Sequence, residues 1–213
     1  MKSGFHLPRI VFVTLTSMAM SGCLLRPVTV STRHFVLAPI STNAPAPAVA
    51  EPLPVGIGLV KMPAYLLRDS MAVRNGSNEI EFLEDALWAE RLDQSLQQTV
   101  ALNLSKLLPS DKIYLTDWGH DLAGLKVYIS VQQFDVDTAG RGTLIADWRI
   151  NLTDNDTALK SGETRLILAG NSPLGHPEII AETMSDLTVE FSRELAQAIN
   201  ALARPKPRAI LEQ

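Results

Sequence analysis

From residue 125 to 152, apolar and polar residues alternate. Leu125, Val127, Ile129 and Val131 fall on one face of the first run, and Leu144, Ala146, Trp148, Ile150 and Leu152 on one face of the second. A period of two is the signature of a half-buried strand. Gly140-Arg141-Gly142 turns the chain between the runs, and Asp154-Asn155-Asp156 turns it again before a third strand, Glu163 to Leu168. The segment predicts an antiparallel meander with one buried face. Two stretches change to helical spacing. Leu92, Leu96, Val100, Leu104 and Leu107 form one apolar stripe, closed by Pro109. Ile180, Met184, Leu187, Phe191, Leu195, Ala198 and Leu202 form the other, with Pro177 near its start. Steps of three and four residues describe amphipathic helices.

Shorter strands precede the first helix. His34 to Leu37 reads as one, and Val55 to Val60 as a buried second one that Pro63 stops. Ala72-Val73-Arg74 and Glu79-Ile80-Glu81-Phe82 flank Asn75-Gly76-Ser77-Asn78, a strong hairpin signal. Ile113 to Leu115 is a further short strand, and Trp88 starts or precedes the first helix. The expected fold is α+β, a two-layer α/β sandwich: a mixed, largely antiparallel sheet carrying two long amphipathic helices.

The N-terminus follows a different rule. Lys2 and Arg9 precede Ile10 to Met20, which carries no charge, and Met20-Ser21-Gly22-Cys23 comes next. A basic start and a short apolar run read as a secretory signal, too short to span a bilayer comfortably. The four residues around Cys23 resemble a bacterial lipobox, in which small residues fit a peptidase cleft and the thiol accepts a diacylglyceryl group. The expected organisation is a lipoprotein signal peptide at 1–22, a lipidated tether at 23–33 and a single domain at 34–203 with a proline-rich loop at 39–54. A basic tail occupies 204–213. Leu24, where an aspartate would favour inner-membrane retention, points to the outer membrane facing the periplasm. Loss of residues 1–22 leaves 17 basic against 23 acidic residues, a formal −6. That balance disfavours a nucleic-acid-binding role.

Candidate chemistry is sparse. Cys23 is the single cysteine of the 213-residue chain, so an intrachain disulfide or a cysteine-built zinc site is excluded. None of His6, His34, His120 and His176 sits one helical turn from a second ligand, and no metal or other cofactor is expected. P-loop, dinucleotide-binding and nucleophile-elbow motifs are absent. Asp135 and Asp137 share a strand face and could bind a cation or work as an acid pair; a solvated strand end is the simpler reading. Met62-Pro63-Ala64-Tyr65-Leu66-Leu67, followed by Arg68, is either an exposed contact surface or a loop packed on the core. Trp88, with Glu90 and Arg91, reads as a helix anchor or a second contact point. No catalytic residues are assigned.

The order of these motifs resembles the PqiC-like family, the auxiliary lipoproteins of ABC-type and MCE lipid transport systems. Members tend to read Leu-Pro-x-Tyr-Leu-x-Arg and, later, Trp-Ala-Glu-Pro-Leu. Pro63, Tyr65, Leu66 and Arg68 match the first motif; Trp88, Ala89, Glu90 and Leu92 match the second. Arg91 stands where the family has proline, His34 to Leu37 departs from the usual aromatic start, and the 39–54 insert is long. The resemblance covers about residues 34–203. It implies a non-enzymatic docking subunit of a phospholipid transport system that supports envelope integrity, with an MCE-domain protein and inner-membrane transporter components as partners. It allows a homo-oligomer, and it places partner contacts at Tyr65, Leu66, Arg68 and Trp88. The alternative is an envelope structural or assembly lipoprotein, linked to secretion or peptidoglycan, without a transport role.

Overall fold

The computed structural model describes residues 31–41, 54–110, 112–115, 124–153 and 156–203. The signal segment, Cys23, most of the proline-rich loop, His120 and the basic tail lie outside the described residues. The described elements belong to a compact unit that begins at Thr32.

Among the described residues, eight strands make one mixed sheet: β1 (Arg33–Phe35), β2 (Val55–Ile57), β3 (Ser70–Asn75), β4 (Glu79–Trp88), β5 (Ile113–Leu115), β6 (Leu125–Asp137), β7 (Gly142–Leu152) and β8 (Ala158–Leu168). Two described helices, α1 (Leu92–Leu107) and α2 (Glu178–Ala203), complete it. The fold is α+β, as expected. The long ladders, β6 with β7 and β7 with β8, are antiparallel, and so is the β3–β4 hairpin. The parallel pairings are only two or three residues long.

β6 is the spine. One edge pairs with β7 along its length. The other edge is shared between two parallel neighbours. β2 takes Leu125 to Val127, and β3 takes Val136 and Asp137. Beyond β2 the sheet continues into β5; beyond β3 it continues into β4 and then β1. The sheet therefore forks along one side of a single strand.

A bulge decides which side chains face inward. Pairing with β7 jumps from Val131 to Gln133 and leaves Gln132 without a partner in the ladder. One extra residue reverses the alternation. Leu125, Val127, Ile129 and Val131 are buried before the bulge, and Phe134 and Val136 after it. Both helices pack on that face. α1 contributes Leu92, Leu96, Val100 and Leu104, and α2 contributes Ile180, Met184, Leu187 and Phe191, all buried. Each such side chain contributes about 1.5–3 kcal/mol on burial.

The helices also bury polar groups, because α1 packs against α2 as well as against the sheet. Asn103 is fully buried. Its Nδ2 donates to Ser192 Oγ on α2 at 3.1 Å. Its Oδ1 accepts the Ile40 amide at 2.7 Å. Ser185 Oγ accepts the Ala38 amide at 3.0 Å, and Lys106 Nζ donates to the Ile40 carbonyl at 2.6 Å. The chain leaving β1 is thus strapped across both helices by alternate backbone groups, with Leu37 buried beneath it. No described helix is long and apolar enough to cross a membrane.

Candidate docking surface

The Met62–Arg68 segment is an excursion from the forked edge of β6. After β2 the chain still follows β6: the Lys61 amide donates to Ile129 O at 3.0 Å, and Val131 donates to Lys61 O at 2.7 Å. Pro63 then supplies no amide to the ladder. Its carbonyl accepts from Leu66 N at 3.0 Å, closing a single 3₁₀ turn over Ala64–Leu67. The chain rejoins β6 only where Val73 pairs with Val136. Between these points no described strand pairs with β6 on this edge, and the bulge at Gln132 lies in the same interval.

The gap is filled by side chains. Asp135 follows the bulge and points away from the helices, yet it is 1% exposed. Tyr65 Oη, from the excursion, donates to Asp135 Oδ2 at 2.8 Å. Arg74, on β3, donates Nη2 to Oδ2 at 2.6 Å and Nε to both oxygens at 3.1 Å. Gln133 Nε2 donates to Oδ1 at 2.8 Å. Every donor here serves one carboxylate, which satisfies a charge that burial would otherwise make very costly. The phenol of Tyr65 is pushed well above its ordinary range, first by burial and then by the Asp135 charge. The bond to Asp135 also raises the Arg74 guanidinium further. Tyr65 therefore stays a hydrogen-bond donor at any physiological pH.

Asp135 is thus no solvated strand end, which corrects the simpler of the sequence readings. Asp137 does not join it as an acid pair. Its Oδ1 accepts the amides of Ala139 at 3.0 Å and Arg141 at 2.8 Å, shaping the β6–β7 turn. Among the described residues, no three His, Cys, Asp or Glu are placed to hold a metal. His176 Nδ1 lies 3.1 Å from Glu178 Oε1 at the start of α2. Arg33 donates to the other Glu178 oxygen at 2.9 Å. The Glu178 carboxylate sits at about 2, held down first by its own backbone amide, then by His176 and Arg33.

The four residues singled out for partner contact occupy three environments. Arg68 is exposed and lies over the Phe82 ring of β4, 4.5 Å from its centroid. Tyr65 is half-buried. Leu66 and Trp88 are 4% and 6% exposed and belong to the core. Trp88 ends β4 rather than opening the helix; its amide donates to Asp69 O at 2.7 Å and so anchors the return of the excursion. Sequence reasoning did not connect Arg74, Asp135 and Gln133 with this loop. The signal was present as a charged residue inside a strand otherwise rich in apolar residues.

A shallow concavity of about 590 Å³ opens on the sheet face away from the helices, lined in part by Leu59, Lys61, Tyr128 and Arg149. Lys126 and Arg149 approach the Tyr128 ring at 5.0 and 5.1 Å. The Tyr128 hydroxyl donates to Asp156 at 3.0 Å.

The fold and this loop define a small α+β domain with a braced excursion on one edge of its central strand. The chain belongs to the family of ABC-type transport auxiliary lipoprotein components, whose model matches residues 35–200. As a member it is a membrane-anchored lipoprotein with an auxiliary role in transport. A crystal structure of an uncharacterised protein is similar, with a TM-score of 0.65 and 19% identity, covering 79% of this chain and 99% of that one. A Xanthomonas campestris protein of the family DUF330 gives 0.65 and 16%, covering 81% and 97%. At such identities the likeness is one of fold alone. None of the curated proteins matches the chain by sequence.

Proposed function

We propose that Cys23 carries the lipid anchor and that the domain faces the periplasm from the outer membrane. There it docks an MCE-domain protein and inner-membrane transporter components of a phospholipid transport system that supports envelope integrity. It adds no catalytic chemistry of its own. The observation that carries this reading is family membership across residues 35–200, joined to a lipobox directly after the apolar leader. Each acyl CH₂ placed in a bilayer contributes about 0.8 kcal/mol, so more than one chain gives stable anchoring. The tether at 23–33 gives the domain reach.

The docking element is the braced excursion. Arg68 and the open side of Tyr65 meet the partner, while Leu66 and Trp88 act from beneath by fixing the shape of the loop. An aromatic and an arginine on a rigid support suit a binding hot spot.

The test is co-purification of tagged full-length protein from membranes, with Cys23→Ser as control. Enrichment of an MCE-domain protein with its inner-membrane components is the expected result. Enrichment of secretion or peptidoglycan-binding proteins alone would replace the transport reading with a structural one. A Cys23→Ser protein still found in the outer membrane would overturn the anchor assignment.

A further inference from the structure

The sheet face turned away from the helices gathers three cations beside one aromatic ring. Val127 and Ile129 are buried under the helices, so Lys126, Tyr128 and Ser130 point the other way. Tyr128 pairs with Arg149 on β7, and Lys61 lies beside Ser130 through a parallel bridge. Lys126 Nζ and the Arg149 guanidinium stand 5.0 and 5.1 Å from the Tyr128 centroid. Lys61, Tyr128 and Arg149 all line the concavity on this face.

Nothing within the cluster neutralises it by contact. Among the described residues, none of the three cations forms an ion pair. The neighbouring acids are engaged elsewhere. Asp147 accepts from Gln132 at 2.7 Å, and Asp156 accepts from Tyr128 at 3.0 Å and from Asn151 at 2.7 Å. Leu59 stands at the rim with 66% of its surface exposed. Gly58 lets the chain beside it lie close to the ring: a Cβ there would sit 3.1 Å from Val127 O and 3.4 Å from Tyr128 Cδ1.

Unpaired cations, a half-buried phenol and an exposed leucine together are the composition of a membrane interface. The concavity, at about 590 Å³, has the size of a small-molecule site. A protein partner would need a far broader surface, about 800 Å². The chain between Cys23 and Arg33 extends to at most about 35 Å, so a bilayer holding the anchor lies within reach of this face.

We propose that the concavity seats the phosphate of an anionic lipid headgroup in the membrane that holds the anchor. Lys61, Lys126 and Arg149 supply the positive field, and Leu59 meets the apolar chain. The contact orients the domain on the bilayer. Asp135, which braces the excursion, lies about 20 Å further along β6, clear of the headgroup. This inference rests on lipidation at Cys23 and not on the transport reading.

The experiment places mature, lipidated full-length protein in vesicles of phosphatidylcholine, alone or mixed with phosphatidylglycerol. Co-flotation with both kinds reports the anchor. Brief acetylation, read residue by residue by mass spectrometry, reports the concavity. Lys61 and Lys126 should react about fivefold more slowly on the mixed vesicles. Lys106, on α1 at the other side of the sheet, should react equally on both. Arg149→Glu should abolish most of the protection without loss of co-flotation. Leu59→Ser, which keeps every charge, should do the same, and so should high salt. Co-flotation with equal acetylation on the two kinds of vesicle would overturn the inference and leave the anchor standing. Protein that floats with neither kind would overturn both. Protection that both variants retain, or that Lys106 shares, would also overturn it. Equal protection by inorganic phosphate on neutral vesicles would make this a soluble-anion site, and protection by polyglutamate alone would make it a protein contact; either result ends the membrane assignment.

Discussion

Tyr65 and Asp135 meet across the gap in the forked edge of β6, at 2.8 Å, one from an excursion and the other from the spine of the sheet. The contact ties the Met62–Arg68 excursion to a buried charge that β3 has already neutralised through Arg74. The loop is therefore held from below by an ionic knot and by Leu66, so its exposed residues start from a fixed shape. Preorganisation of that kind lowers the cost of binding.

Removing the carboxylate is the sharpest test of the knot. In Asp135→Ala, Arg74, Tyr65 and Gln133 all lose their shared acceptor. Breaking one side of a buried pair costs about 3–5 kcal/mol. The lower end is expected, because Arg74 keeps 22% of its side chain in solvent. Urea denaturation should register the loss, and Asp135→Asn should lose less because it keeps an acceptor oxygen.

Alkaline titration tests the phenol. An unfolded tyrosine ionises at about 10; in the fold, burial and then Asp135 raise that value. Below pH 10 both states keep the proton and the contribution is constant. Above it the unfolded chain releases a proton that the native chain retains, so stability falls as pH rises. Tyr65→Phe removes this component. The stability gap between wild type and Tyr65→Phe should narrow progressively as pH rises above about 10; a constant gap would mean that Tyr65 titrates as it does in the unfolded chain.

The strap depends on Asn103. Asn103→Ala deletes the acceptor of the Ile40 amide and the donor to Ser192. The expected loss is about 1–3 kcal/mol, the cost of leaving buried polar groups unpaired. Hydrogen exchange at Ile40 should accelerate well beyond that of the β6 and β7 amides. Equal acceleration everywhere would indicate a global effect instead.

Arg68 offers a variant that separates docking from folding. Its contact with Phe82 is worth about 0.5–1 kcal/mol at an exposed site. Arg68→Glu should shift the melting temperature only slightly and yet reduce recovery of the partner at least severalfold in co-purification. A variant with a depressed melting temperature and undiminished recovery would make Arg68 a structural residue.

Periodicity carried most of the fold. The 16-residue α1 begins and ends where its stripe of leucines does, and the meander alternates as its residues predict. Two strands, β1 and β2, stop at Phe35 and Ile57, short of the runs expected to reach Leu37 and Val60, and two run longer than their apolar signal: β4 reaches Trp88 and β8 starts at Ala158, both through polar residues. Those residues are strand-forming because a neighbour pairs with them, which local composition does not report. The bulge at Gln132 was invisible for the same reason. Asp135 was misjudged because its burial depends on a tyrosine 70 positions away. Asn103 lies outside the apolar stripe of α1, and packing against α2 makes it interior.

The excursion has one further property. It leaves β6 opposite Ser130 and returns opposite Val136, so each end is registered on the same strand independently of what lies between. Insertions or deletions between Lys61 and Asp69 shift no strand pairing at either end, and lengthening raises the closure entropy only logarithmically. Leu66 and Tyr65 are its pins to the body of the domain. Its tip can thus change in length without disturbing the architecture that carries it.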